Sequence, residues 1–255
     1  MLLYGCEIWG FGNNDVLEKV HLKFCKLLLN LKQSTPRIMV LGELGRYPLD
    51  IHIKTRIINF WANIVNGKET KLSYLFYQLM YRKHLNGIET KWLKNVKSII
   101  DGCGLSNIWI TQDVQSKTWL VNNLKQILCD QYIQKWLSEC NNCSTGAIYN
   151  IFTNLEFKCQ NYILSNLDTH KIRKIARFRT TNHRLPIETG RWSGIPRQVR
   201  KCKLCNSDIG DEFHYILSCK NLEDFRKKYL PKKFRHRQNT IKFYELFSSK
   251  NIDLL

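Results

Sequence analysis

The sequence predicts a mainly α fold: a helical domain followed by a small zinc-knuckle module with basic flanks. Three observations predict it. Apolar residues recur at three-to-four spacing through most of residues 1–166, and alternating runs are few. Three Cys and one His stand close together in residues 202–219, "CKLCNSDIGDEFHYILSC". The net charge of +19 gathers on either side of that stretch. The division expected is a helical region over 1–166, a basic helix and loop over 167–201, a metal-binding module over 202–230 and a basic tail helix over 231–255.

The segment "NNDVLEKVHLKFCKLLLNL" gives the clearest helix. Leu17, Val20, Phe24, Leu27, Leu28 and Leu31 share one apolar face, and Asn14 or Asp15 can cap it. A short helix follows Pro36, with Gly42, Gly45 and Pro48 marking its end. "LDIHIKTRIINFWANIV" is a second apolar-faced helix. Further helices are predicted near Leu72–His84, Glu89–Ile100, Gln115–Ser138 and Ala147–Ser165. "LLYGCEIWGF" fits either a strand or a packed helix end. Near Asp168 the character changes. "DTHKIRKIARFR" is a basic amphipathic helix with Ile172, Ile175 and Ala176 on one stripe, and "TTNHRLPIETGRWSGIPRQVR" reads as an ordered basic loop.

Charge placement bears on function. Lys171 to Lys201 holds ten Lys/Arg against one acid, Glu188, and Lys220 to Lys242 holds nine against Glu223 and Asp224. Between them the Cys/His stretch is slightly acidic. A polyanion such as RNA or DNA fits this distribution, because each cation near a phosphate releases condensed counterions. An acidic protein, a membrane surface or a plain solvated cationic face are the other readings. No apolar run approaches the ~18 residues that span a bilayer, and the start is a poor signal peptide. Of the ten Cys in 255 residues, six (Cys6, Cys25, Cys103, Cys129, Cys140 and Cys159) are scattered among apolar or helical residues and read as buried free thiols, which favours a reducing, intracellular compartment, nuclear or cytoplasmic.

The cluster has the spacing Cys202-x2-Cys205-x8-His214-x4-Cys219. Two Cys three apart reach one ion from a tight turn, and the His and third Cys complete a tetrahedron with no open position. That is the donor set of a structural zinc site. Lys201 and Lys203 stand beside the first thiols, where cations favour the thiolate. Phe213, Tyr215, Ile216 and Leu217 can form the small core such a module needs. A redox C-x-x-C needs neither His214 nor Cys219. The second pair, Cys140 and Cys143, has no further ligands at metal spacing.

The stretch "ARFRTTNHRLPIETGRWSGIPRQVRKCKLCNSDIGDEFHYILSC", followed by "DFRKKYL", resembles the carboxy-terminal region of non-LTR (LINE-type) retrotransposon reverse transcriptases. "LLYGCEIWG" and "LEKVHLKFCKLLLNL" with "GELGRYPL" resemble the segment that follows the polymerase palm and thumb in that family. The resemblance is most specific over 176–230, and residues 70–165 add little. It implies knuckle ligands at Cys202, Cys205, His214 and Cys219, and matches His183, Arg184, Glu188, Gly190, Arg191 and Trp192 to the segment before them. The family's F/Y-x-D-D carboxylates have no counterpart here, since the sequence contains no Asp-Asp dipeptide. Two-metal polymerase chemistry needs such a pair, so no catalytic residue is expected and this chain alone is not read as an enzyme.

The expected function is therefore nucleic-acid binding, mostly through phosphates. The expected contacts are Lys171, Arg173, Lys174, Arg177, Arg179, Arg184, Arg191, Arg197, Arg200 and Lys201, with Trp192 as a stacking surface or a packing anchor. The alternative is a zinc-stabilised protein-interaction module. Apolar faces in residues 1–166 that pack on a polymerase palm in a full-length parent would leave an exposed patch here.

Overall fold

The computed structural model describes residues 2–12, 14–143, 147–153 and 155–248. Every regular element among them is helical. Extended pairing is confined to two antiparallel bridges, Leu44 with Cys159 and Lys201 with Ile209. In chain order the helices are α1 (Cys6–Trp9), α2 (Asp15–Leu28), α3 (Arg37–Leu44), α4 (Leu49–Val65), α5 (Leu72–Leu85), α6 (Lys91–Gly102), α7 (Ser106–Thr111) and α8 (Lys117–Asn142). They continue with α9 (Ala147–Thr153), α10 (Asn161–Leu164), α11 (Thr169–Arg179), α12 (Pro186–Trp192), α13 (Glu223–Tyr229), α14 (Lys232–Arg235) and α15 (Thr240–Ser248). No helix among the described residues is long and apolar enough to cross a membrane.

The chain forms two compact units: Met1–Leu22 with Tyr47–Trp136, and Lys23–Arg46 with Leu137–Leu255. This differs from the division expected at residue 166. Residues 23–46 and 137–166 belong to the unit that carries the basic and Cys/His segments.

The first unit is built around α4. Its Ile53, Ile57, Ile58, Trp61 and Ala62 are buried, at the spacing of a helix enclosed on more than one side. In α6, Thr90 caps the Leu93 N–H, and Leu93, Val96 and Ile100 fall on one buried stripe. Trp61 is polar at one point, and its Nε1–H donates to the Tyr77 hydroxyl at 2.9 Å. That hydroxyl donates on to Gln112. Burial pushes the Tyr77 phenol well up, so it stays protonated and keeps both bonds.

The second unit has a buried polar centre and an aromatic core. Arg179, at the end of α11, reaches the Glu43 carboxylate of α3. Phe152, Leu217, Phe234, Phe243 and Leu246 form the core, with Phe178, Phe213, Ile216 and Phe247 packed on it. Phe152 and Phe247 lie 4.8 Å apart, and Phe178 stacks on Phe247 at 5.3 Å. Thus Phe213, Ile216 and Leu217, which lie beside His214, share a core with α9, α11 and α15.

Several expectations change. "LLYGCEIWGF" contains the helix α1. The stretch 147–165 is not one helix, because α9 ends at Thr153, Leu155 takes a left-handed conformation and Cys159 pairs with Leu44. The basic loop contains α12, which Pro186 starts at its first turn. The tail helix is two, α14 and α15, and residues 249–255 of that expectation lie outside the described residues. In α2 the inward side carries His21 and Cys25, continued by Leu29 just past its end, while Val20, Phe24, Leu27 and Leu28 are exposed. The middle of the expected apolar face is therefore open to solvent, while Leu17 is half-buried and Leu31 buried. Leu72, Leu75, Phe76 and Leu79 form a similar exposed stripe on α5.

Candidate metal centre

The centre begins as a short hairpin. The Lys201–Ile209 bridge closes it, the Cys202 N–H donates to the Asp208 carbonyl at 2.9 Å, and the Asn206 N–H donates to the Cys202 carbonyl at 2.9 Å. Asn206 takes φ 54, a left-handed turn that Asn tolerates through its short polar side chain. This brings Cys202 and Cys205 to one side. The Leu204 N–H points at the Cys202 Sγ, 3.4 Å away. The Asp211 carboxylate accepts from the His214 N–H at 2.8 Å and starts a π turn, His214–Ser218. The Cys219 N–H donates back to the His214 carbonyl at 2.7 Å. One wide turn therefore sets the last two side chains facing the first two.

The four donor atoms lie within 4.8 Å of one another, close enough to hold one metal ion. Cys202 Sγ and Cys219 Sγ are 3.8 Å apart, and Cys205 Sγ is 3.2 Å from His214 Nε2. A tetrahedral ion with metal–sulfur bonds of about 2.3 Å has sulfur–sulfur edges of about 3.8 Å. A disulfide needs about 2.05 Å, and all ten Cys are free thiols. Cys202, His214 and Cys219 are buried and Cys205 is half-buried, so the donors are enclosed except at Cys205. Nε2 is the histidine atom turned inward, and Nδ1 lies 3.8 Å from the Asp208 carboxylate. The arrangement leaves no open position for a substrate.

The thiols differ in acidity. The Ser207 hydroxyl first, and the Ser207 backbone second, pull Cys205 down to about 6. Burial pushes Cys219 up to about 11. Ser207, rather than the flanking lysines, is the leading cause at Cys205. A bound cation favours the thiolate at both. The surrounding shell is tied in place. Arg226 donates to the Cys219 carbonyl, Asn221 Nδ2 to the Leu204 carbonyl at 2.6 Å, and the Lys203 N–H to the Tyr215 hydroxyl at 3.2 Å. His183 meets the buried Glu212 at 2.8 Å and joins the preceding basic segment to the centre.

The basic residues divide into three groups. Lys171, Lys174, Arg177, Arg184, Arg197 and Lys201 are exposed, and none makes an ion pair among the described residues. Arg173, Arg191 and Arg200 are half-buried and partly engaged. Arg173 Nε donates to the Leu28 carbonyl at 3.2 Å, Arg191 pairs with Glu188, and Arg200 donates to the Ile195 and Ile187 carbonyls, each at 2.8 Å. Arg179 is 1% exposed and fully committed inside the unit, so it is removed from the set of phosphate contacts. Trp192 is 52% exposed, with the Lys32 ammonium 3.7 Å from its ring centre.

Lys32 and Asn182 are neighbours that the sequence did not reveal. The Lys32 N–H donates to Asn182 Oδ1 at 3.1 Å across 150 positions of chain, and no local pattern signals such a pair. Ser207 was legible in principle, as a hydroxyl two residues past a ligand thiol. No protein family, no curated protein and no solved structure matches the chain.

Proposed function

We propose that this chain is a zinc-containing nucleic-acid-binding region that corresponds to the part of a non-LTR reverse transcriptase following its palm. The observation that carries the reading is the group of six exposed cations, Lys171, Lys174, Arg177, Arg184, Arg197 and Lys201, which make no ion pair among the described residues, although the Arg197 charge acts at longer range on Asp211, in the unit that holds the candidate metal centre. Unneutralised like charges repel one another, and a polyanion relieves that repulsion while releasing counterions. Zinc suits the donors, since three thiolates and an imidazole close a tetrahedron and hold the ion structurally. The polymer binds through phosphates with little sequence preference. Chemistry on the polymer is not assigned to these residues.

The test is a set of binding isotherms for RNA and single-stranded DNA from low to high salt. The expected result is a linear fall of log K with log salt, with a slope of roughly −0.7 for each phosphate contact. Affinity that stays flat with salt overturns the reading.

A second reading, a zinc-stabilised protein-interaction module, draws on the exposed α5 stripe of Leu72, Leu75, Phe76 and Leu79. Charge reversal at Arg173 and Arg177 separates the two. Unchanged nucleic-acid binding with loss of a protein partner favours the second.

A further inference from the structure

A recess of about 400 Å³ opens beside Trp192. Its floor is polar and buried. Thr35, Thr180, Thr181 and Asn182 are each at most 8% exposed. The Thr35 hydroxyl and the Lys32 N–H both reach Asn182 Oδ1, at 2.9 and 3.1 Å, and Asn182 Nδ2 donates to the Thr180 carbonyl at 2.8 Å. The rim carries Lys32, Arg191 and Trp192. Polar groups cost free energy to bury, so a recess floored by four of them calls for an explanation.

Three further observations point to a ligand. Thr181 takes φ 56 at the end of α11, where the Asn182 N–H donates to the Arg177 carbonyl and the Thr181 N–H to the Phe178 carbonyl. That bonding pattern ordinarily places Gly at the left-handed position. A β-branched residue there is strained, and such strain gathers at ligand clamps. Arg191 Nε is buried without a hydrogen-bond acceptor. Burial first, then the charges of Arg184 and Arg177, pull the Lys32 ammonium below its ordinary range, with Glu188 opposing them. The rim thus sets two cations, Lys32 over the Trp192 indole and Arg191, against one carboxylate, Glu188, which Arg191 holds through its terminal nitrogen and not through Nε.

We infer that this recess takes one nucleotide unit, its phosphate against Lys32 and Arg191 and its base beside the Trp192 indole. Cations alone would serve any anion. The half-open indole adds a planar surface that stacks on every base, which neither a bare phosphate nor an acidic peptide uses. The inference deepens the nucleic-acid reading and rests on it for the unit's occurring in a strand; a free nucleotide presents the same chemistry.

Four probes test it: oligo(dT), an abasic oligomer of equal length and phosphate count, thymidine monophosphate and polyglutamate. The expected result is that oligo(dT) binds about tenfold or more tightly than the abasic oligomer. Trp192→Ala should abolish that preference at unchanged salt slope, and Trp192→Phe should keep most of it. Lys32→Ala should lower the slope by about one phosphate. Monophosphate binding that Trp192→Ala removes, with neither oligomer bound, keeps the recess and overturns the nucleic-acid reading. Equal affinity for the two oligomers, or a preference that survives in a folded Trp192→Ala, overturns the recess alone. Polyglutamate binding that matches oligo(dT) and shares its dependence on Trp192 overturns it too.

Discussion

Arg179 Nε lies 2.9 Å from Glu43 Oε2, and both side chains are removed from solvent. The guanidinium also donates to Gln160 Oε1 at 2.9 Å and to the Phe152 and Phe247 carbonyls at 3.1 and 3.3 Å. Tyr162 donates its hydroxyl to the same carboxylate. Burial first, and the Glu43 charge second, push that phenol up and keep it a donor. One arginine therefore ties α3, α9, α11 and α15 together. Truncating either partner of a buried pair leaves the other charge uncompensated, at about 3–5 kcal/mol. Arg179→Ala and Glu43→Gln should both show losses of this order in urea unfolding. Arg177→Ala should cost under about 0.5 kcal/mol, as an exposed change. Equal stability for Arg179→Ala and wild type would remove the ion pair from this role.

That pair also shows where a single sequence stops being informative. Arg179 stands in "RKIARFR" beside Lys174 and Arg177, which do face solvent, and only its partner distinguishes it from them. Glu43 is 136 positions away, beyond any local pattern. The candidate donors Cys202, Cys205, His214 and Cys219 were legible because a hairpin and one turn bring them together within eighteen residues. The helix near Glu89–Ile100 was legible for the same local reason, and the structure buries its Leu93, Val96 and Ile100. In α2 the spacing identified an apolar stripe but not which side turns inward, since that depends on neighbours remote in sequence. The start of α12 at Pro186 was a signal present in the residues and outweighed by the Gly and charge around it.

Cysteine reactivity should follow environment. Cys205 sits at about 6 because Ser207 donates to its sulfur, so at pH 7 the metal-free protein carries it mainly as thiolate. Burial pushes Cys140 up to about 12, which leaves almost no thiolate at the same pH. The thiolate is the nucleophile. A brief iodoacetamide pulse on zinc-stripped protein should therefore label Cys205 first and leave Cys140 unmodified, as read by peptide mass spectrometry. Lowering the pH through 6 should slow the Cys205 reaction, and added zinc should protect it. Early labelling of Cys140 would contradict this ordering.

Gly45 is fixed by two constraints at once. Its φ is +55, and a Cβ there would lie 2.1 Å from the Cys159 nitrogen and 2.5 Å from the Lys158 carbonyl carbon. Both are backbone atoms and cannot swing aside, because Leu44 and Cys159 form the bridge beside them. The left-handed conformation alone costs a non-glycine residue about 1–2 kcal/mol, and the overlap adds to it. Gly45→Ala should lower the melting temperature by several degrees or more. Gly87→Ala, where φ is also positive but no atom lies within 4 Å, should show only the conformational part. Equal losses at the two positions would mean that the Cys159 backbone gives way.

Metal removal should disturb more than the hairpin. His214 and Cys219 bound a π turn whose Ile216 and Leu217 enter the aromatic core, and Phe213 packs on Phe243 at 5.7 Å. Arg226 fastens α13 to the Cys219 carbonyl. Without an ion, two buried thiols and an imidazole face one another with few partners, and the free energy of binding becomes free energy of folding. Wild type should therefore hold one zinc per chain, and Cys202→Ser or His214→Ala should hold almost none. Loss of the metal should also weaken the near-ultraviolet circular dichroism of the aromatic core while the far-ultraviolet helical signal largely stays. Cys143→Ser should keep the full stoichiometry, because that thiol belongs to no candidate ligand group among the described residues. A wild type without zinc, or a Cys143→Ser variant that loses it, would place the centre elsewhere.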